Sequence, residues 1–307
     1  MKKNKLTVTI GIPAYNEEAN IKNLLQSILK QEERGFYIEK IIVISDGSTD
    51  KTVQEIKKVK NKRIYMIENK KRQGQTKSQN KIFIQAKSDV VVLLEADTFP
   101  LNNNYLSNLI LPLRKNSEIG LVQGNFTPIS GKTMLEKSLS AQISLFKEFN
   151  MNHANTIYIL SSGRGGRAFS KNVYKKLVFP KSVPEDVYAL LWCRNKNIEV
   201  TFQKSAVCLY RCPQTISDYV KERFKIQREQ VTIKHYFSQE LIDKVYQRSF
   251  SYKIKSFIYF STMHPFEFIY YLYLTIITKI SLFSKKMFRE EFTDFWSTTS
   301  STKSLSL

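Results

Sequence analysis

The chain has 307 residues, with 42% hydrophobic and 24% charged side chains, and 48 Lys and Arg against 27 Asp and Glu give it a formal net charge of +21. This composition excludes a largely disordered chain and is sufficient for one large hydrophobic core or two modest ones. So large an excess of positive charge favours a polyanionic partner, and three classes fit it: nucleic acid, acidic lipid headgroups and phosphorylated small molecules.

The first half of the chain alternates between strand and helix patterns. The run LTVTIGIP (6–13) predicts a first strand, and because its apolar part is short, the basic N-terminus before it does not fit a signal peptide. Apolar residues at helical spacing follow, and then a second strand, IEKIIVISDGS (38–48). A helix over 51–60, a strand RIYMIE, a helix over 75–86 and a strand DVVVLLEAD complete the alternation. We therefore predict an α/β fold with a mostly parallel sheet.

Polar side chains stand at the ends of these predicted strands. In open parallel sheets, ligands bind at the carboxyl ends of the strands. The polar residues at those ends are therefore candidates for binding and catalysis, and they are Tyr15, Asn16, Glu17, Asp46, Glu95 and Asp97.

Glu95 and Asp97 lie one residue apart at the end of a strand with a fully apolar pattern. Two carboxylates held by a rigid strand and a tight turn offer hard oxygen ligands to a divalent cation and leave coordination positions open for a diphosphate. The alternative is that both acids merely solvate the strand end. The surrounding motifs favour the metal site.

Five motifs occur in order along the chain: IGIPAYNEEANIKNLLQSI, IIVISDGSTDKT, KRQGQTKSQNKIFIQA, VVLLEADTFP and a long block that begins SSGRGGRAFSKNVYKKLVFP. Together they resemble the family 2 glycosyltransferases over about residues 6–230, including the cellulose and hyaluronan synthase-like members. The resemblance implies the GT-A nucleotide-diphospho-sugar transferase fold, a Rossmann-like mixed sheet flanked by helices. It also implies a hexosyltransferase-type enzyme that moves a sugar, with inversion, from a nucleoside diphosphate to a hydroxyl acceptor.

The same resemblance assigns a donor site. It implies a UDP- or GDP-sugar held together with Mg²⁺ or Mn²⁺, and it makes Asp97 and Glu95 the metal ligands, although the family's usual first acid is Asp. Ser45 stands where the family usually has a second acid beside Asp46. The donor-contacting residues that the resemblance implies are Pro13, Ala14, Tyr15, Glu17, Asp46, Lys77, Glu95, Ala96 and Asp97.

Two of these assignments have simpler alternatives. Asp46 lies in the sequence SDGSTD, which also fits an Asx turn without a ligand, and Ser48 or Thr49 there is expected to cap the next helix. Lys77 also fits a solvated lysine on a helix face.

A candidate general base lies in the sequence VPEDVYALL. Pro184 and the two acids after it open a predicted helix, and a helix N-terminus favours an ionised carboxylate. The resemblance implies that Asp186 takes the proton of the acceptor hydroxyl and that Glu185 supports it. The alternative is a helix-capping acid. The upstream segment SGRGGRAF matches the family's acceptor-side loop, and its glycines allow a backbone to lie against a sugar ring, which favours the catalytic role.

A later family signature, Gln-x-x-Arg-Trp, is altered in this chain. Residues 222–226 read ERFKI, so the glutamine, arginine and tryptophan are all replaced, although a lysine preserves the positive charge. Arg223 and Lys225 are candidates for binding the diphosphate, with Arg228 as an alternative. Because the tryptophan belongs to acceptor-glycan binding in the processive synthases, the change favours a transferase that adds a single sugar.

The C-terminal third has a different character. Residues 216–248 contain neither Gly nor Pro and predict long basic helices. The stretch 256–286 is strongly apolar, but its uncharged run, 268–278, is shorter than the ~20 residues of a simple membrane-spanning helix. An aromatic helix flanked by lysines fits the membrane interface, and a core helix or dimer face is the alternative. The apolar face predicted for it comprises Phe266, Ile269, Tyr270, Tyr273, Ile277 and Ile280.

We therefore predict four regions: a GT-A catalytic domain (1–215), a basic helical segment that closes the active site (216–253), membrane-associated helices (254–290) and a disordered tail (291–307). The partners expected are the nucleotide-sugar donor, a glycan or lipid-linked acceptor and an acidic membrane surface. The protein is expected at the cytoplasmic face of a membrane, bound peripherally or, through its C-terminal segment, integrally.

Two other functions remain open. A polyprenyl-phosphate glycosyltransferase shares the first four motifs, and its acceptor is a phosphate that needs no proton removed. A nucleic-acid-binding protein would explain the charge, but no helix-turn-helix, zinc or RNA-binding signature accompanies it, so nucleic acid is not expected as a partner. The spacing of Cys193, Cys208 and Cys212 does not complete a zinc site, and these residues are expected to be reduced core thiols in a cytosolic protein.

Overall fold

The computed structural model describes residues 5–152, 163–246, 250–287 and 302. Within these residues the chain separates into two compact units. The first unit contains residues 5–127 and 163–210, and the second contains residues 128–152, 211–246 and 250–287.

The described chain alternates strands and helices in its first half and becomes helical toward its C-terminus. The strands are β1 (Leu6–Ala14), β2 (Phe36–Asp46), β3 (Ile64–Asn69), β4 (Val90–Leu93), β5 (Thr98–Pro100), β6 (Ile119–Pro128), β7 (Arg167–Ser170) and β8 (Glu199–Tyr210). The helices are α1 (Ile21–Leu29), α2 (Thr52–Lys58), α3 (Gln75–Gln85), α4 (Tyr105–Lys115), α5 (Met134–Asn152), α6 (Lys171–Tyr174), α7 (Glu185–Asn195), α8 (Ile216–Thr232), α9 (Gln239–Tyr246), α10 (Phe250–Met263) and α11 (Pro265–Met287).

The first unit is organised around one mixed sheet. Among the described residues the strand order is β3-β2-β1-β4-β7-β6-β8-β5. The strands β3, β2, β1 and β4 are parallel to one another, whereas β7 runs antiparallel to both β4 and β6. The carboxyl ends of the four parallel strands therefore meet at one edge of the sheet. The loops after β1, β2 and β4 carry predicted site residues, so the fold gathers them at that edge.

Apolar patterning explains why these segments form these elements. All four residues of β4 are buried, as expected for a central parallel strand that is covered on both faces. Helix α1 repeats apolar residues at helical spacing and buries Ile21, Leu24, Leu25 and Ile28 completely. The α/β fold is thus as predicted, and the first four strands and the helices between them follow one another along the chain as predicted.

The three cysteines are buried free thiols. Burial raises the pKa of Cys193 and of Cys208 to about 12, so neither is a thiolate near neutral pH. The prediction of reduced core thiols is confirmed.

The second unit is helical in its described residues. Helix α5 packs against α10 and α11, and α8 packs against α11. Leu145, Phe260 and Phe268 form a buried cluster, in which the two phenylalanine rings meet edge to face at 5.4 Å. Helix α10 ends at Met263 and α11 begins at Pro265, a position that suits proline because its missing N–H has no partner in the first helical turn.

One side of α11 exposes large apolar residues. Of the six residues of the predicted apolar face, Phe266, Ile269, Tyr273 and Ile280 are each between 48% and 73% exposed, whereas Tyr270 and Ile277 are half-buried. Leu274, by contrast, is fully buried. No helix in the described ranges is long and apolar enough to cross a bilayer.

The predicted C-terminal regions map onto the structure in part. The predicted helical stretches are present as α8 to α11, with breaks after Thr232 and Met263. Apart from residue 302, the tail predicted to be disordered, 291–307, lies outside the described residues. The predicted domain boundaries stay predictions. The structure adds that α5, from the middle of the chain, belongs to the same unit as the C-terminal helices.

Candidate active site

The loops after β1 and β2 are bonded to each other. Asn16 adopts a left-handed conformation with φ of 54°, which asparagine tolerates better than most residues. Its backbone N–H donates to Ser48 Oγ at 3.2 Å, and its Oδ1 accepts from the Thr49 backbone N–H at 2.8 Å. Ser48 and Thr49 therefore hold the neighbouring loop, and the prediction that one of them caps α2 is wrong.

Glu17 is part of the same connection. Its backbone N–H donates to Thr52 Oγ1 at 2.7 Å, and its carboxylate accepts from Asn20 Nδ2 at 3.2 Å. The Glu17 side chain is buried, and its hydrogen bonds fix the loop. Its contact with the donor stays a prediction. Pro13 and Ala14 are the last residues of β1 and pair with Ile44 and Ser45 of β2.

Tyr15, the predicted nucleobase contact, is stacked against an arginine. The Arg72 guanidinium carbon lies 4.0 Å from the centre of the Tyr15 ring, within the range of a cation–π interaction. Arg72 comes from the loop between β3 and α3 and was not singled out from the sequence. The signal that could have identified it is its position in the motif KRQGQTKSQN, two residues before a glycine at a helix start.

Asp46 organises the loop that leads into α3. Its carboxylate accepts from Asn69 Nδ2 at 2.8 Å, from the Gln73 backbone N–H at 2.9 Å and from the Gly74 backbone N–H at 2.7 Å. It is 4% exposed, so these bonds compensate for its burial. The structure thus gives Asp46 a clear role in shaping the donor-side loop, and its contact with a nucleotide stays a prediction.

At the start of α3, Gln75, a residue close to the predicted donor contact Lys77, bonds to a distant segment of the chain. Lys77 is exposed on the helix. Gln75, two residues earlier, donates from Nε2 to Glu185 Oε1 at 2.5 Å, a link between residues 110 positions apart. Sequence patterns did not single out Gln75.

The predicted metal-binding acids form a tight turn directly after the buried strand β4. The Glu95 carbonyl oxygen accepts from the Thr98 backbone N–H at 3.3 Å and from Thr98 Oγ1 at 3.0 Å, which closes the turn. Glu95 and Asp97 are half-buried, while Ala96 between them is buried. The turn therefore fixes the backbone and leaves both carboxylates partly accessible.

Asp186 lies at the N-terminus of α7, as predicted, and faces the same region. Its Oδ2 accepts from the Gly163 backbone N–H at 3.0 Å, and its Oδ1 accepts from the Val187 N–H at 2.8 Å. A Cβ atom on Gly163 would lie 3.1 Å from Glu95 Oε1 and 3.6 Å from Asp186 Oδ2. The structure thus brings the candidate base and one candidate metal ligand close to the same side of a single glycine, which lies 23 residues from the base and 68 residues from the metal ligand in the chain.

The turn that carries Gly163 is itself tightly packed. A Cβ on Gly165 would lie 2.1 Å from the Gly124 carbonyl oxygen, so a side chain there has no room. The hydroxyl of Tyr105, a fully buried residue of α4, donates to the Gly165 carbonyl at 2.7 Å. Burial, with the nearby Cys208, raises the pKa of Tyr105 well above its usual value, so the hydroxyl stays a donor. The glycine run in SGRGGRAF thus serves close backbone packing beside Asp186.

The residues at this edge fit a divalent cation that is shared with a diphosphate. Within the described ranges, no group of three or more His, Cys, Asp or Glu side chains could hold a metal by itself. Glu95 and Asp97 supply two carboxylates, and oxygen ligands from a diphosphate are what Mg²⁺ and Mn²⁺ sites of this kind use to complete the shell. The donor set therefore suits an ion that binds together with its substrate.

The two basic candidates of the altered signature lie in the second unit, on α8. Arg223 pairs with Glu222 at 3.8 Å and lies 5.4 Å from the centre of the Tyr219 ring. Lys225 lies on the same helix and is half-buried. Their part in binding the diphosphate stays a prediction.

Comparison with known proteins identifies the family of the chain. The model of the family "Glycosyl transferase family 2" matches residues 9–178, more than half of the chain. A poly-beta-1,6-N-acetyl-D-glucosamine synthase of Staphylococcus epidermidis is 26% identical over 227 residues, which cover 71% of this chain and 53% of that protein. A probable glycosyltransferase of Bacillus subtilis is 24% identical over 275 residues, covering 87% of this chain and 63% of that protein. The chain thus spans about half to two thirds of the length of these relatives.

Solved structures show the same fold. A mannosyltransferase of Pyrobaculum calidifontis, solved in complex with GDP-Man and Mn²⁺, superposes with a TM-score of 0.66 at 15% identity, covering 94% of this chain and 89% of that one. The TarS protein of S. aureus, residues 1–349 in complex with UDP-GlcNAc, gives a TM-score of 0.53 at 17% identity, covering 78% and 70%. The motifs, the mixed sheet and the matching family model agree, and the chain belongs to glycosyl transferase family 2, with the GT-A fold.

Proposed function

We propose that the protein is an inverting glycosyltransferase that moves a sugar from a UDP- or GDP-sugar to a hydroxyl group of a glycan or lipid-linked acceptor. The observation that carries the proposal is the placement of the Asp186 and Glu95 carboxylates next to each other beside Gly163, at the carboxyl edge of the sheet. A base and a metal ligand in one cleft are what direct displacement of a diphosphate by a hydroxyl requires.

In the proposed reaction, the Asp186 carboxylate accepts the proton of the acceptor hydroxyl. The hydroxyl oxygen forms a bond to the anomeric carbon of the donor sugar while the bond from that carbon to the diphosphate oxygen breaks on the opposite face. The nucleoside diphosphate leaves with the electron pair of the broken bond. Each oxygen of the Asp186 carboxylate accepts one backbone N–H, Oδ2 from Gly163 and Oδ1 from Val187, so both bonds orient the carboxylate.

Glu95 and Asp97 would hold Mg²⁺ or Mn²⁺ at the diphosphate. The ion would offset the negative charge that builds on the departing diphosphate. On the nucleoside side, the Tyr15 ring with Arg72 offers an aromatic and cationic surface for a base and its phosphates.

Similar proteins support this class of reaction. One is named as a synthase of a polymer of N-acetyl-D-glucosamine, and two solved neighbours hold GDP-Man with Mn²⁺ and UDP-GlcNAc. We further propose a single addition for this chain, since residues 222–226 lack the tryptophan of the processive signature.

The test is a thermal-shift screen of the full chain with UDP-GlcNAc, UDP-glucose and GDP-mannose, each with and without Mn²⁺. We expect one donor to raise the melting temperature in the presence of Mn²⁺ and to lose that effect in excess chelator, because a ligand at 100 times its Kd stabilises the native state by about 2.7 kcal/mol. If no sugar nucleotide shifts the melting temperature with either Mn²⁺ or Mg²⁺, the proposal fails.

Asp186→Asn distinguishes the hydroxyl acceptor from a phosphate acceptor. Loss of a general base should lower turnover by about 10²- to 10⁴-fold, with binding of the donor unchanged. A variant that retains most of the activity would favour a polyprenyl-phosphate acceptor, whose oxygen carries no proton to remove.

We also propose that the outward side of α10 and α11 binds an acidic membrane surface peripherally, at its cytoplasmic face. Besides the exposed apolar residues of α11, Phe257 and Ile258 of α10 are 53% and 54% exposed. Lys253 and Lys255 on α10 are also exposed, so apolar and cationic groups alternate along the surface of this helix. This combination suits the boundary between headgroups and acyl chains.

A further inference from the structure

A buried ion pair lies directly beside the candidate base. Arg167, the first residue of β7, is 2% exposed, and Glu185, the first residue of α7, is 5% exposed. The Arg167 Nη2 and Glu185 Oε1 atoms are 3.8 Å apart, and the same Oε1 accepts the hydrogen bond from Gln75 Nε2. We call these three side chains, Arg167, Glu185 and Gln75, the bridge.

Burial of these charged side chains costs free energy, so their position in the interior calls for an explanation. A buried guanidinium needs an anionic partner, because transfer of an unpaired charge out of water is strongly unfavourable. Within the described part of the chain, Nε and Nη1 of Arg167 have no hydrogen-bond partner. Its salt bridge with Glu185 is thus long and incompletely bonded, which is a poor device for stability alone.

The location of the bridge indicates its use. It joins the start of α3, the start of β7 and the start of α7. The start of β7 follows Gly163 by four residues, and the start of α7 precedes Asp186 by one. These last two segments are the ones that meet in the hydrogen bond from Gly163 to Asp186. The bridge therefore fixes the two backbones between which the candidate base is held.

The third segment extends the connection to the donor side. Gln75 follows Gly74, whose backbone N–H donates to Asp46 at 2.7 Å. Asp46 in turn fixes the loop that carries Arg72, the partner of Tyr15. A continuous set of bonded groups thus runs from the proposed nucleoside contact to the residue next to the proposed base.

We infer that Arg167 and Gln75 are positioning residues for Asp186, acting through Glu185, an assignment that rests on the proposed role of Asp186 as the base. Neither residue needs to touch the substrates. Their effect is on the orientation of the Asp186 carboxylate, and a displacement of about 1 Å at such a group can lower a rate by about 100-fold.

Two variants test the inference in the full chain against a matched control. Arg167→Gln removes the cation, and Glu185→Gln removes the charge but keeps an oxygen that can accept from Gln75. The control is Arg63→Gln, which breaks another arginine–glutamate pair, Arg63 with Glu33 at 2.6 Å. That pair lies at the amino ends of β2 and β3, at the opposite edge of the sheet from the site.

The first measurement needs no substrate. Hydrogen–deuterium exchange, followed by mass spectrometry on peptides that cover 163–170 and 183–190, should be faster in Arg167→Gln and Glu185→Gln than in the native chain, and unchanged in Arg63→Gln. Unchanged exchange in both bridge variants overturns the inference. If exchange is faster in the bridge variants but the native chain neither binds nor hydrolyses any sugar nucleotide, the bridge orders these two segments and the proposed function is wrong.

The second measurement separates positioning from general damage. With the donor identified by the thermal-shift screen and Mn²⁺, we expect kcat for release of the nucleoside diphosphate to fall about 100-fold in Arg167→Gln, while KM for the donor changes less than about threefold. The double variant Arg167→Gln/Glu185→Gln should be no slower than the worse single variant, because both act through one unit. A kcat close to that of the native chain, or additive losses in the double variant, overturns the inference.

If Arg167→Gln does not fold, Gln75→Ala decides the matter. Gln75 is half-buried and uncharged, so its removal leaves the buried Glu185 still paired with Arg167. The inference predicts that kcat falls by about tenfold with KM for the donor retained. Equal kcat in Gln75→Ala and the native chain overturns it.

Discussion

The loops at the carboxyl edge of the sheet and the outer side of α10 and α11 differ in what their side chains contact. In the loops, polar groups are bonded to other segments: Asn16 to Thr49, Glu17 to Thr52 and Asp46 to Gly74. On α11, large apolar side chains such as Phe266 and Ile269 are 73% and 65% exposed. The first surface is fixed before any ligand arrives, as catalysis requires, whereas the second gains free energy when something apolar covers it.

The difference separates two kinds of experiment. Changes at the sheet edge should alter turnover without altering attachment to a membrane, and changes on α11 should do the reverse. A substitution that altered both properties equally would argue against this division of roles.

The largest effect is expected from Asp97→Asn. Loss of a metal ligand should lower transfer by about 1,000-fold or more, since the charge on the leaving diphosphate is then poorly offset. The half-buried side chain lies in a turn outside the core, so the circular dichroism spectrum and the melting temperature should be retained. Release of the nucleoside diphosphate from the donor is the measurement.

Asp243→Asn on α9 is the control, because it removes a carboxylate of the second unit whose described bond is the one it accepts from Gln239. Turnover of Asp97→Asn close to that of the native chain, or undiminished activity in excess chelator, would remove Asp97 from the metal site.

The places of these acids in the fold could be predicted because each stands at a point where the chain pattern changes, whereas their roles came from the family resemblance. Asp97 follows a buried run of apolar residues, and Asp186 follows a proline at a helix start. The strand and helix order in the first unit followed from the alternation of β-branched runs with helical spacing. These signals lie within short stretches of sequence, and the structure has the corresponding strands, helices and acids at the predicted positions.

What the sequence did not reveal depends on contacts between distant segments. Gln75 and Glu185 are 110 residues apart, and nothing near either of them specifies the other. The contact of Gly163 with Asp186 is likewise set by the pairing of β7 with β4. The membership of α5 in the second unit depends on its packing against α10 and α11, more than a hundred residues later, and helical periodicity alone cannot specify a partner.

An intermediate effect is expected on the outer side of α11. Ile269 and Ile276 lie seven residues apart on one face and are 65% and 58% exposed. Ile269→Ser/Ile276→Ser should reduce partitioning of the full chain onto vesicles of phosphatidylcholine and phosphatidylglycerol by about 10-fold, since each isoleucine contributes up to about 2 kcal/mol when fully buried. Co-sedimentation with the vesicles is the measurement.

The matched control is Ile84→Ser on α3, where the isoleucine is 77% exposed but belongs to the first unit. Its partitioning should equal that of the native chain. High salt should weaken binding without abolishing it, because only the charge attraction is screened. Complete release by salt would show that the apolar face is not buried in lipid, and conversion of a dimer to a monomer by the double substitution would assign the face to a second copy of the chain.

The smallest effect is expected within the second unit, at the start of α5. Glu136 is 2% exposed, and its carboxylate accepts from the Lys132 and Thr133 backbone N–H groups and from Gln214 Nε2. Burial alone would raise the pKa of Glu136, but these hydrogen bonds and the charge of Arg211 lower it below the usual value. Because the pKa in the folded state is depressed, the stabilisation is fully present above the usual pKa of a glutamate and is lost as the pH falls through the folded value.

Glu136→Gln should therefore lower the free energy of unfolding at pH 7 by about 1 to 3 kcal/mol, and the difference from the native chain should shrink as the pH falls below about 4. Urea unfolding followed by circular dichroism across this pH range measures it. Glu240→Gln is the control, since Glu240 is an exposed glutamate of α9 that pairs with Lys244 on the surface, and it should change the unfolding little at any pH. A difference for Glu136→Gln that stays constant from pH 7 to below 4 would mean that the ionised carboxylate is not what holds the start of α5. The substitution would then be acting through side-chain packing, which does not change with pH.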